Sequence, residues 1–183
     1  MKYTEEIFNI LSSGKFITDN SVTPEIRIYY DLVEEDFEAY RNYYEGIGFI
    51  LEGGDGYYCF SRRDRKVEVE RKLERMLRWI DYLDFFKTCD ASFSSGTIFT
   101  PSDILVKISA DIELQSKARR LFDEKKTNRE VVDRLISELE TFGFAELESE
   151  IDSTYKVTSA YNFLERVISF INVSKEVKDE IPE

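Results

Sequence analysis

The chain has 183 residues, enough for one domain of ordinary size or two small ones, and 42% hydrophobic residues with 14% aromatics can bury a real core. Twenty-five Lys and Arg against 37 Asp and Glu leave a formal charge of -12, which repels nucleic acid and acidic membrane surfaces unless positive charge is gathered locally. Histidine is absent, which removes Ser-His-Asp and Cys-His nucleophiles, histidine general bases and Cys/His zinc patterns. Cys59 and Cys89 lie too far apart for a metal-ligand pair and read as reduced, packed thiols of a cytosolic protein. No run of about eighteen apolar residues suits a membrane span, and the start MKYTEEIFNI lacks the basic-then-apolar order of a secretion signal.

In chain order, KFIT at 15–18 reads as a short strand ahead of a helix start. Phe37, Tyr40, Tyr44 and Ile47 then form one apolar stripe on a helix through EEDFEAYRNYYEGIG, and Gly48 stands where a helix ends in a left-handed residue. FILE and YYCFS follow as extended runs, so Gly53 to Gly56 in FILEGGDGYYCF make a hairpin tip where positive backbone dihedrals are needed. A phosphate loop would need a helix after its glycines, and a calcium loop several more oxygen ligands than Asp55 supplies.

Val69, Leu73, Met76, Leu77, Ile80 and Leu83 are spaced for a long connecting helix, and KTCDASFSSG at 87–96 reads as a loop. TIFT at 97–100 is a second short strand, and TPSDIL opens a helix with Thr100 as N-cap, Pro101 at the first position and Asp103 as capping partner. Thr127 and Glu130 form a second capping box. Val132, Leu135, Leu139, Phe142, Gly143 and Phe144 then repeat the pattern of Phe37, Tyr40, Tyr44, Ile47, Gly48 and Phe49 at a single offset of 95 positions. FAELES and STYKVTS give a second hairpin, and Tyr161, Leu164, Ile168 and Ile171 mark a closing helix.

This order predicts a mainly α chain with small β-hairpins (α+β): two tandem winged helix-turn-helix domains joined by a long helix. The expected boundaries are a first domain at 1–65, connecting helix and loop at 66–96, a second domain at 97–172 and a frayed acidic tail at 173–183.

Winged helices present a third helix to DNA, so its charge is informative. In the first copy Glu35, Asp36, Glu38 and Glu45 outweigh Arg41, which disfavours phosphate. In the second, Lys125, Lys126, Arg129 and Arg134 gather toward the N-terminal end of the helix, and Lys156 in the hairpin and Lys117, Arg119 and Arg120 upstream could extend the patch. A solvated helix face with internal ion pairs is the other reading of the same residues. A further basic group, Arg62, Arg63, Arg65 and Lys66, follows the first hairpin directly. Of the adjacent aromatics, Tyr43, Tyr57 and Tyr58 are candidate protein-interface residues, because neighbours on a strand point to opposite faces.

The ordered pieces LSSGKFIT, YYEGIGFILEGGDGYYCFSRR, GTIFTPSDIL, LETFGFAEL and STYKVTSAYNFLERVISF, across roughly residues 11 to 171, resemble the MukE-like (MksE-like) subunits of bacterial condensins. The resemblance implies a non-enzymatic homodimer that binds a kleisin and, through it, an SMC ATPase, with weak sequence-independent DNA contact. It implies a nucleoid-associated cytoplasmic place in chromosome organisation and segregation or in plasmid defence, with no cofactor, metal, membrane or small-molecule substrate. The alternatives are a stand-alone winged-helix transcription regulator, against which the acidic first helix argues, and an enzyme using a pair of carboxylates.

Overall fold

The computed structural model describes backbone over residues 1–61, 66–122 and 127–179, and side chains over 1–61, 77–122 and 127–170. The first half holds α1 (Thr4–Ser12), β1 (Ile17–Thr18), α2 (Pro24–Glu35), α3 (Phe37–Glu45), β2 (Ile50–Gly54) and β3 (Tyr57–Ser61). The second holds α4 (Lys66–Cys89), β4 (Ile98–Phe99), α5 (Pro101–Ala110), α6 (Ile112–Arg120), α7 (Asn128–Thr141), β5 (Ala145–Ser149), β6 (Thr154–Val157) and α8 (Ala160–Asp179). The architecture is α+β, with eight helices and two antiparallel three-stranded sheets among the described residues. The sheets run β1-β3-β2 and β4-β6-β5, so in both halves the short early strand adds to the second arm of the hairpin.

Both hairpins are entered through the same turn. The Gly48 N–H donates to the Glu45 carbonyl at 3.0 Å and the Phe49 N–H to the Tyr44 carbonyl at 3.0 Å; Gly143 donates to Glu140 at 3.0 Å and Phe144 to Leu139 at 2.8 Å. Gly48 at φ 86° and Gly143 at φ 76° supply the left-handed residue that lets these two bonds satisfy the last helical carbonyls. The 95-residue repeat is therefore a repeat of hydrogen bonds as well as of apolar spacing. Both capping boxes form: Thr100 with Asp103, and Thr127 with Glu130.

Four expectations change. Ile47 is 54% exposed, because α3 ends at Glu45 and leaves it in the turn beyond the stripe. The core side of α4 is led by Trp79, Tyr82, Phe85 and Phe86, with Leu83, while Leu77 faces solvent; the side chains of Val69, Leu73 and Met76 lie outside the described residues. Three helices, not two, separate β4 from β5, since Asp111 breaks the chain in extended conformation and caps α6 by accepting from Glu113 N and Leu114 N. The backbone of α8 is helical through Asp179, which includes residues 173–179 of the segment read as a tail.

At the first hairpin tip only Gly56 has a positive φ, 76°. Gly53 and Gly54 are strand residues, and a Cβ there would lie 2.8 Å from the Tyr58 ring and 2.2 Å from the Tyr57 ring. They are glycines because the paired tyrosines lie across them.

One core gathers Ile7, Leu11, Ile17, Val33, Tyr40, Tyr44, Leu51 and Tyr58; the other, larger, is built on Trp79, Phe85, Phe86, Ile108, Val132, Leu139, Tyr161 and Leu164. Phe16, from the first half, packs on the second core, with its ring 5.7 Å from Phe144, 5.3 Å from Phe163 and 5.9 Å from Tyr57. Burial pushes the Cys59 and Cys89 thiols up to about 12, Glu52 adding to the shift at Cys59 and Lys107 opposing it at Cys89. Burial, with Glu34 beside it, likewise lifts the Tyr30 hydroxyl to about 12.

This packing sets the cost of two glycine substitutions. Gly48→Ala meets nothing within 4 Å and should cost about 1 kcal/mol through backbone strain alone. Gly54→Ala drives a methyl into the Tyr57 ring and should cost about 3 kcal/mol; urea unfolding that ranks the two in the opposite order would contradict the packing. The thiols ionise near their ordinary value of 9.0 when unfolded, so above it the folded state holds protons that the unfolded state has released. Stability should be full below about pH 9 and fall as pH rises toward 12, read as a declining urea midpoint.

Candidate nucleic-acid and protein interface

The basic end of α7 is internally satisfied. Thr127 N donates to the Glu130 carboxylate at 2.7 Å and the Thr127 hydroxyl accepts from Glu130 N at 3.3 Å, so the capping box takes up groups that a phosphate would otherwise engage. Arg129 Nε sits 3.0 Å from the Asp133 carboxylate one turn on, and the Arg134 guanidinium lies 4.9 Å from the Phe122 ring centroid. Lys156 on β6 stands between Ile98 and Glu146 in the sheet register. The expected free backbone donors at this helix start are thus reduced by the protein's own carboxylate.

Upstream, Lys117 is paired with Asp84 at 2.7 Å and Glu113 at 3.4 Å and donates to the Thr88 hydroxyl at 2.8 Å, which ties α6 to α4. Arg119 donates to Gln115 and Arg120 to the Ser116 carbonyl, both within the last turns of their own helix. On α3, Arg41 pairs with Glu38 at 3.5 Å and Glu45 ends the helix, while Glu35 and Asp36, expected on the same helix, stand at the junction of α2 and α3. Lys125, Lys126, Arg62, Arg63 and Arg65 lie outside the described residues, as does the side chain of Lys66, the first residue of α4.

The three tyrosines separate. Tyr43 is 47% exposed on α3, packed edge-on against Tyr44, with Ile47 and Ile50 also exposed just beyond. Tyr57 and Tyr58 are 1% and 5% exposed, which corrects the expectation that either is a partner contact. Their rings do point to opposite faces of β3, as strand geometry requires, but both faces are covered. Tyr58 packs on Tyr30 and Phe37 and donates its hydroxyl to the Glu34 carboxylate. Tyr57 packs on Phe16 of its own half and on Phe163 of the second, with Arg166 over its ring at 5.8 Å, so part of its cover comes from the second half. Sequence reasoning missed Ile47 and Ile50, and the signal available for Ile47 was that Gly46 and Gly48 bracket it at a helix end.

The two hairpin tips also differ. At the first, the Gly56 carbonyl accepts from Asp19 N at 3.1 Å and the Asp55 carbonyl from Asn162 Nδ2 at 2.8 Å, so the tip is docked on the second half. At the second, Ile151 is 95% exposed and stands between Glu150 and Asp152. Negative charge, not positive, surrounds the projecting tip.

A cleft of about 290 Å³ between the halves is lined by Phe16, Cys59, Phe60, Trp79, Phe142 and Phe163, with Lys15 and Glu52 as its charged members. Its single carboxylate cannot make the acid-base pair a carboxylate enzyme needs. No cluster of His, Cys, Asp and Glu suited to a metal occurs among the described residues, and no described helix is long and apolar enough to cross a membrane.

A search of curated proteins finds no match to this chain. A family model described as the condensin complex protein MksE matches residues 2–168, which takes in both sheets, both glycine turns and the start of α8. The chain belongs to the MksE family of condensin complex proteins.

Proposed function

We propose that the chain is a non-enzymatic accessory subunit of a bacterial SMC/condensin-type complex, which binds the kleisin subunit and, through it, the SMC ATPase. The observation that carries this reading is the family match over residues 2–168. Each half is proposed as a winged helix-turn-helix unit, with α3 and α7 as third helices and the hairpins as wings; the shared strand order and the shared glycine turns support this. The reading includes a homodimer, a nucleoid-associated cytoplasmic location, and work in chromosome organisation and segregation or in plasmid defence.

The kleisin contact is assigned to the first half, where Tyr43, Ile47 and Ile50 expose apolar surface beside the acidic face of α3. DNA contact is assigned first to Arg62, Arg63, Arg65 and Lys66. Arg129 and Arg134 already have partners on or beside α7, so they join Lys125, Lys126 and Lys156 as a second group. With a net charge of -12, affinity for DNA in isolation is weak and dominated by counterion release.

The test is a pull-down with the kleisin encoded beside this chain. Retention is expected, and Tyr43→Ala should weaken it about tenfold or more; a parent chain that fails to retain that kleisin sinks the reading. DNA binding by the chain alone should fall about a hundredfold between roughly 50 and 200 mM salt, with a shallower slope after replacement of the four basic residues at 62, 63, 65 and 66. Tight binding to one operator without partners would point to a transcription regulator instead.

A further inference from the structure

Three consecutive residues just after β1 hydrogen-bond across to the second half, at Ser95, Glu146, Val157 and Ser159. The Asp19 carboxylate accepts from the Ser159 hydroxyl at 2.5 Å, and the Asp19 N–H donates to the Gly56 carbonyl at 3.1 Å. Asn20 accepts from Ser159 N at 2.8 Å and donates to the Val157 carbonyl at 3.1 Å and the Ser95 hydroxyl at 3.3 Å. The Ser21 hydroxyl and the Val22 N–H donate to the Glu146 carboxylate at 2.9 and 2.6 Å. Ser21 is fully buried and Ser159 is 5% exposed, so water cannot readily replace these partners if one is lost.

We propose that Asp19, Asn20 and Ser21 form a clasp that fixes the two halves at one angle. The chain then moves as a single rigid body, and its first hairpin, the proposed wing of the first half, is held at its tip as an internal strut. Three features support this over simple apolar packing. Asn20 uses both ends of its amide, one on the α8 start and one on the end of β6, which constrains orientation as well as distance. Asp19 places a carboxylate at the N-terminus of α8, where the helix dipole favours it, while its own backbone holds the first hairpin tip. Asn162, two residues into the helix proper, then grips the same tip through the Asp55 carbonyl. Hairpin, clasp and helix start form one closed set of hydrogen bonds, and each member belongs to a different element.

The test compares the parent with the double variant Asn20→Ala/Ser21→Ala during denaturant unfolding. Trp79, the single tryptophan, sits in the second core and reports that half by fluorescence; hydrogen exchange of the β1 and β3 amides reports the first. The parent should show coincident transitions. In the double variant, protection of the β1 and β3 amides should fall about tenfold or more at denaturant concentrations where the Trp79 signal stays native. Coincident transitions in the double variant would mean that the aromatic contacts alone couple the halves and would overturn the proposal, as would a parent whose two probes already part. Glu146→Gln preserves shape and weakens only the acceptor of Ser21 and Val22, so if the double variant does not fold it should show the same separation to a smaller degree, and its absence there counts equally against the clasp.

Discussion

The handover from a third helix to a hairpin constrains the rest of this chain. A helix must satisfy its last carbonyls, and a hairpin must leave in a direction that returns its strands to the helix's own core. Gly48 and Gly143 meet both needs with one left-handed residue and two backbone hydrogen bonds. That exit sets the course of the chain beyond it: the next residue, Phe49 or Phe144, turns toward the core, and the first strand begins within two positions. An alternative residue at either site would retain the apolar stripe and hold the same turn only at a backbone cost of about 1–2 kcal/mol.

Charge imposes a second constraint. The chain is strongly acidic, and among the described residues several of the positive groups that could offset this locally already face partners within the fold. Lys117 ties α6 to α4, Arg41 and Arg129 close turns on their own helices, and the α7 start is capped by Glu130. Exposed pairs of this kind each contribute little to stability. Their larger effect is on recognition, because a guanidinium already facing a carboxylate one turn away has less to gain from a phosphate. Among the described residues, the charge available for recognition is therefore smaller than the number of basic side chains suggests.

Local features were legible in the sequence and lateral ones were not. Both capping boxes, both glycine turns, the hairpin arms and the Tyr161, Leu164 and Ile168 stripe of α8 could be read because each is settled by residues within about one turn of one another. The break at Asp111 was overlooked although Asp-Ile-Glu-Leu carries an N-cap and an acidic first turn. The tyrosines show a harder limit. Strand alternation correctly sent Tyr57 and Tyr58 to opposite faces, but whether the second face meets water depends on where Phe16 and Phe163 come to lie. Phe163 lies more than a hundred positions from Tyr57 in the chain, and no local pattern encodes such a contact.

The two hairpin tips show how such a distant contact nonetheless leaves a mark on composition. Gly56 precedes β3 with φ 76°, and Ser153 precedes β6 with φ 49°, so both tips place a left-handed residue at the same point. Only the first is glycine. A Cβ at Gly56 would fall 2.7 Å from the Ser159 Cβ and 2.8 Å from the Asp19 carboxylate, whereas the second tip, with Ile151 in solvent, presses against nothing comparable. A non-glycine residue can hold a left-handed conformation for about 1–2 kcal/mol, which the open tip tolerates. It cannot also place a methyl group inside the contact between α8 and the clasp. Of the three glycines in GGDG, Gly56 is therefore the imprint of one half packed on the other, while Gly53 and Gly54 make room for the tyrosines of their own hairpin.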